Sequence, residues 1–284
     1  MAANAYHRMP LGYGPTPGPR QSATTCKRHD SWNKVRTQTA TIVFHTSKAY
    51  LSSLLPHDCF SIDSQLPNDQ ACASLSFTKL ENLPWLAGRG YNHFGLYIHD
   101  VVCKGSKETR RGRFLSVLFE DKADPIISGR EELGYPKVFC NLHDSFDDTD
   151  FNLDLEWESS KFGQIVLNNL HTSDETVSMK PPSSPQGLLL FKSIPTTGSP
   201  GKYDIQYPTF SPPPAAGTTV IKSKFVAKSS SFSFKNLGFE NLPTLHHIAA
   251  RLSELDEGTT NIVEARFTTG QGSRDLYDIE AIQI

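Results

Sequence analysis

Hydrophobic and polar residues alternate along much of this chain, and the alternation predicts strands. The cleanest stretch is FNLDLEW, residues 151–157. Phe151, Leu153, Leu155 and Trp157 share one side, and Asn152, Asp154 and Glu156 share the other. GQIVLNNL follows as its partner. GYNHFGLYIHDVVC (90–103) sets Phe94, Leu96 and Ile98 against His93, Tyr97 and His99, the pattern of a half-buried strand. Further strands are expected at 39–46, 73–82 and 114–119, with 186–195 and 202–210 as another pair and mixed strand signal to the C-terminus.

Helical periodicity is sparse. SKAYLSSLLP offers Ser47 as an N-cap, one apolar face of Tyr50, Leu51, Leu54 and Leu55, and Pro56 as a stop. A short helix-like piece is expected at 130–133. The longest helix is expected over 243–256, with Leu245, Ile248, Ala249, Leu252 and Leu255 on one face. Strands and helices do not alternate regularly, which argues against a parallel α/β sheet. The expectation is a β-rich α+β domain over 34–284, its antiparallel sheet closed or nearly closed, with a few flanking helices. Residues 1–33 are rich in Gly, Pro, Ser and Thr and are expected as a flexible N-terminal tail or a strap on the domain.

Composition narrows the function classes. A net charge of −2 leaves no electrostatic footprint for nucleic acid or an anionic membrane. The basic run from Lys104 to Arg113 shares its segment with glycines and reads as a solvated hairpin loop. Five widely spaced cysteines show no metal-ligand spacing and read as reduced thiols of a cytoplasmic protein. No apolar h-region or membrane-length run is present. The aspartate-rich HDSFDDTD (143–150) lacks the closing glutamate of a calcium loop, so no metal site is expected.

The candidate chemistry lies in GREELGYPKVFC (129–140), where Lys137 follows an aromatic residue and a proline and precedes Val138 and Phe139. A lysine kept neutral by apolar surroundings can add to a carbonyl as an imine and then act as an electron sink. Alone, the stretch reads as an exposed lysine after a turn.

Gly129, Arg130, Glu131, Tyr135, Pro136 and Lys137 resemble the core motif of the acetoacetate decarboxylase family, in which the lysine forms a Schiff base with substrate. TIVFHTSKAYLSSLLP, GLLLFKSIP and GFENLPTLHHIAARLSELDE resemble other family segments in the same order, so the resemblance runs over roughly residues 36–284. It implies a closed antiparallel β-barrel, or cone, with a few flanking helices, a homo-oligomer, and no cofactor beyond the lysine. It implies a lyase acting on a keto acid or polyketide-like ketone by decarboxylation, aldol/dehydration or cyclisation, in biosynthetic metabolism. The resemblance makes Lys137 the catalytic amine. It puts the family's acidic pocket positions at Thr78 and His93, with His93 as a proton shuttle, and the carboxylate-binding arginine at or beside Arg36. Tyr91, Tyr97, Glu131 and Tyr135 join Arg36 as expected substrate contacts. Val138 stands where the decarboxylases carry a second lysine. Two alternatives stay open: a cyclase or isomerase that uses the pocket without an imine, and a small-molecule binding protein on this scaffold.

Overall fold

The structure, a computed structural model, describes residues 5–13, 18–172, 187–255 and 260–284. Its strands are β1 (Arg36–Ser47), β2 (Phe60–Ile62), β3 (Gln70–Glu81), β4 (Tyr91–Lys104), β5 (Thr109–Glu120), β6 (Lys137–Phe139), β7 (Asn141–Phe146) and β8 (Phe151–Trp157). They continue as β9 (Ser160–Asn168), β10 (His171–Thr172), β11 (Gly187–Pro195), β12 (Tyr203–Ser211), β13 (Val220–Val226), β14 (Ser229–Phe234), β15 (Asn261–Gln271) and β16 (Glu280–Ala281). Among the described residues three short α-helices interrupt them: α1 (Lys48–Ser52), α2 (Ala123–Ser128) and α3 (His246–Leu252).

The strands form a twelve-stranded sheet and a four-stranded sheet. The large sheet runs β10-β13-β15-β1-β3-β4-β5-β11-β12-β16, with β2 attached to β4 and β6 to β5. The expected closure is not met. The pairing path is open, and no ladder joins β10 to β16 among the described residues. The small sheet, β14-β9-β8-β7, contains the FNLDLEW strand, whose alternation is reproduced by buried Phe151, Leu153 and Leu155.

The two sheets face each other through phenylalanines. Phe44 meets Phe232 with ring centres 5.2 Å apart, Phe77 meets Phe151 at 5.5 Å, and Phe119 meets Phe162 at 5.6 Å. These contacts fix which face of each large-sheet strand is core. On β4, Phe94, Leu96 and Ile98 are fully buried in that core. Tyr91, His93 and Tyr97 therefore line the opposite face.

The helices are shorter than periodicity suggested. Ser47 caps α1 as expected, accepting the Tyr50 N–H, but the helix ends at Ser52, before Leu54 and Leu55. The expected 243–256 helix is reduced to α3. Pro243 and Thr244 belong to a preceding turn in which the His246 N–H meets the Leu242 carbonyl, and residue 256 lies outside the described residues.

Two pairings depart from the antiparallel expectation. β11 and β6 both lie parallel to β5. A parallel neighbour requires a crossover. Between β5 and β6 this crossover is α2 followed directly by a π-helical turn, Gly129–Leu133. The GREEL motif is that turn, and the crossover delivers Lys137 beside the end of β5. Residues 5–13 and 18–34 run as a strap against the domain. Arg8 is buried in an ion pair with Glu132 at 2.8 Å, and Arg28 is held by Asp275 at 2.8 Å. No helix among the described residues is long and apolar enough to cross a membrane.

Candidate active site

Lys137 opens β6 opposite Leu118, and its side chain is only 6% exposed. Its Nζ lies 2.8 Å from Glu120 Oε1 and donates to the Pro125 carbonyl at 3.0 Å. The ring centres of Tyr135 and Tyr91 stand 5.1 and 5.9 Å from the same nitrogen. The amine therefore sits in an aromatic and apolar surround with one carboxylate.

Local backbone explains how the lysine fits. A Cβ on Gly129 would lie 2.4 Å from both Cδ and Cε of Lys137, so only glycine leaves room for the lysine stem. Gly134 ends the π-helical turn at φ 83°, a left-handed conformation that glycine adopts without strain. The Tyr135 N–H then bonds the Gly129 carbonyl at 3.0 Å, closing the loop. Arg130 Nη1 donates to the Lys137 carbonyl at 2.9 Å, which pins the backbone from which the amine projects.

Cross-strand register assembles the rest. Thr39, Thr78, His93 and Glu120 stand in one row across β1, β3, β4 and β5. Thr39 and Thr78 hydroxyls are 3.1 Å apart. At the other end of the row, Glu120 is fully buried. Its Oε2 and the His93 Nδ1 are buried without a hydrogen-bond partner among the described residues. Buried polar atoms left unpaired cost roughly 1–3 kcal/mol each. Both residues stand at paired positions of β4 and β5, close enough to Lys137 to feel its charge.

The electrostatics follow from burial. Desolvation lowers the Lys137 pKa from its ordinary value, while the charge and hydrogen bond of Glu120 pull it back up. Desolvation raises Glu120 to about 7, against the lowering influence of Lys137. Burial thus pushes the two groups toward each other, the amine downward and the carboxyl upward, against their mutual attraction. His93 is pushed down to about 3, by burial first and by the Lys137 charge second. Tyr91, Tyr97 and Tyr135 are all raised, chiefly by desolvation, and remain neutral phenols.

Several expectations are thereby revised. Lys137, His93, Tyr91 and Tyr135 are brought together. Tyr97 lies further along the same face, in a small cluster with Leu115, Leu118, Leu190 and Tyr135. His93 is held neutral at physiological pH, whereas Glu120 is the group whose burial brings its pKa to about 7. Arg36 is not part of the site. Its side chain is 65% exposed and pairs with Glu81, because the one-residue offset points it away from the face that carries Tyr91. Glu131 is not delivered to Lys137 either. The next residue, Glu132, is the buried one, and it faces Arg8 of the strap. Val138 points to the reverse side of β6. There it lines an apolar groove of about 260 Å³ with Leu96, Val117 and Leu252.

Glu120 was missed from the sequence. The available signal was a carboxylate ending an otherwise apolar strand, FLSVLFE. Among the described residues no cluster of three or more His, Cys, Asp or Glu side chains could hold a metal ion.

Comparison with known proteins agrees with this fold. The family model for acetoacetate decarboxylase matches residues 8–208, well over half of the chain. The chain belongs to the acetoacetate decarboxylase family. One solved acetoacetate decarboxylase is 15% identical with a TM-score of 0.63, over 88% of this chain and 89% of that one. Acetoacetate decarboxylase from Legionella pneumophila is 17% identical with a TM-score of 0.61, over 96% of both chains. The enduracididine biosynthesis enzyme MppR, complexed with the condensation product of pyruvate and imidazole 4-carboxaldehyde, is 12% identical with a TM-score of 0.55, over 88% and 89%. At such identities the likeness establishes the fold. No curated protein matches the chain. The family is one of enzymes, and the match includes the Lys137 motif.

Proposed function

We propose that this protein is a Schiff-base lyase in which Lys137 holds a keto acid or ketone as an imine. The observation that carries this reading is the buried Lys137–Glu120 contact at 2.8 Å, with Glu120 Oε2 and His93 Nδ1 unpartnered beside it. Glu120 carboxylate takes a proton from the Lys137 ammonium, and the free amine adds to the substrate carbonyl. The resulting carbinolamine loses its hydroxyl as water, using the proton returned by Glu120. The iminium then draws in the electron pair of the neighbouring C–C or C–H bond. The enamine formed is reprotonated at carbon, and water releases the product and regenerates the amine. His93, neutral throughout, offers a hydrogen bond to the carbonyl oxygen or to the water that departs. The tyrosines exclude bulk water and keep the amine's pKa low.

Exchange of the α-protons of a ketone for deuterium tests the imine before the natural substrate is known. The wild type exchanges the methyl protons of pyruvate in D₂O, and Lys137→Arg loses that exchange by about 10³-fold or more, because a guanidinium cannot form the imine. A second reading keeps Lys137 as a cation, since its Nζ already has two oxygen partners. In that case Lys137→Arg retains much of the exchange.

A further inference from the structure

The strand that presents Lys137 has a second face. On it lies the apolar groove of about 260 Å³ that Val138 lines with Leu96, Val117 and Leu252. Pro136 and Arg130 line it too, so both chain neighbours of the lysine, and the arginine that holds its carbonyl, meet there. Lys137 itself is not part of the lining, because its side chain leaves the strand on the opposite face. Tyr50 of α1 and Ile248 of α3 close the far side. The Tyr50 hydroxyl donates to the Arg251 carbonyl at 2.6 Å, which ties the two helices into one wall.

Two arginines border the groove, and their charges differ in availability. Arg251 Nη1 reaches both carboxylate oxygens of Glu254 at 2.8 Å, so its charge is met. Arg130 is exposed and has no carboxylate partner among the described residues. Of its nitrogens only Nη1 is engaged there, by the Lys137 carbonyl at 2.9 Å. The Nε–Nη2 edge of the guanidinium is left over, and such an edge matches a carboxylate in a two-point contact. One uncommitted cation beside an apolar trough suits a single negative charge on an apolar tail. The trough is smaller than the roughly 300–1,000 Å³ of drug-sized ligand pockets, which favours a slim alkyl chain over a ring system.

We propose that this groove binds a medium-chain carboxylate, with the alkyl chain between Val117, Val138 and Leu252 and the head group on Arg130. Bound there, the ligand clamps Arg130 and packs against Pro136 and Val138, so the Lys137 strand is held from behind. Occupancy is thereby felt at the amine, although the ligand takes no part in carbonyl chemistry. The binding does not depend on imine formation and stands or fails apart from it.

Octanoate is the test ligand, with octanol supplying the tail alone and acetate the head alone. Titration calorimetry reads affinity, and hydrogen–deuterium exchange followed by mass spectrometry reads the backbone. Octanoate is expected to bind saturably and to slow amide exchange in the peptide spanning 129–140. Arg130→Gln weakens octanoate roughly ten- to hundredfold, the worth of a charge-assisted hydrogen bond, and leaves octanol unchanged. Arg130→Lys recovers part of the loss. Val138→Phe fills the trough and removes both ligands, with circular dichroism confirming its fold. Lys137→Ala binds octanoate as the wild type does, which separates the groove from the pocket of the amine. An Arg130→Gln protein, or a folded Val138→Phe protein, with wild-type affinity for octanoate overturns the proposal, as does loss of binding in Lys137→Ala. Absence of octanoate binding in the wild type overturns it too. If light scattering then shows Val138→Phe dissociating an oligomer, a second copy of the chain fills the groove instead.

Discussion

At the scale of single residues, the proposed chemistry rests on the 2.8 Å contact between Lys137 and Glu120. Glu120 favours the ammonium form, so removing its charge drops the Lys137 pKa further. In Glu120→Gln the acid limb of the α-proton exchange profile therefore moves to lower pH. The maximum rate falls by about 10²–10⁴, the usual worth of a general acid–base. A pH–rate profile reads both effects. His93 contributes no inflection between pH 5 and 8, since it is already neutral there. Lys137 was legible in the sequence because its motif is local. Glu120 was not, because its partnership arises from a parallel pairing between β5 and β6 that no short-range pattern encodes. Arg36 failed for a complementary reason. A one-residue error in strand register reverses the face on which a side chain emerges, and the row with Tyr91 and Leu80 includes Thr37, not Arg36.

At the scale of elements, the site is a property of one crossover. β5 ends in Glu120, α2 and the π-helical turn carry the chain over, and β6 begins with Lys137. Gly129 lies where the turn passes the lysine stem. A Gly129→Ala protein must push Lys137 aside, since the new methyl would overlap Cδ and Cε at 2.4 Å. It is expected to keep its far-ultraviolet circular dichroism and lose adduct formation at Lys137 by at least tenfold. The equivalent change at the solvent-facing Gly198, which is left-handed with open space around it, is expected to cost stability only. Periodicity exposed most strands, and the helix-like piece expected at 130–133 lies in the π-turn, but α2 and the parallel crossover itself were not read. Six residues of α2 and five of a π-turn are too short for a helical period to register. The same limit explains why 243–256 was read as one long helix: apolar spacing continues through a proline turn.

At the scale of the whole molecule, one face of the twelve-stranded sheet carries Tyr91, His93 and Glu120 beside the amine, while the four-stranded sheet packs against the other face. The strap closes the assembly by joining the motif turn to the C-terminal segment. Arg8 and Glu132 are 5% and 7% exposed, and breaking a buried pair by removing one partner typically costs about 3–5 kcal/mol. Arg8→Ala is accordingly expected to lower the denaturant midpoint in a urea titration, and a midpoint equal to wild type would show that the strap does not stabilise the fold. What most directly tests the role of the molecule as a carbonyl-handling enzyme is borohydride reduction in the presence of a keto acid, followed by peptide mapping. A stable adduct on Lys137 alone, absent without the keto acid and absent in Lys137→Arg, is the predicted result. A protein that turns over or exchanges the keto acid while Lys137 stays unmodified contradicts it.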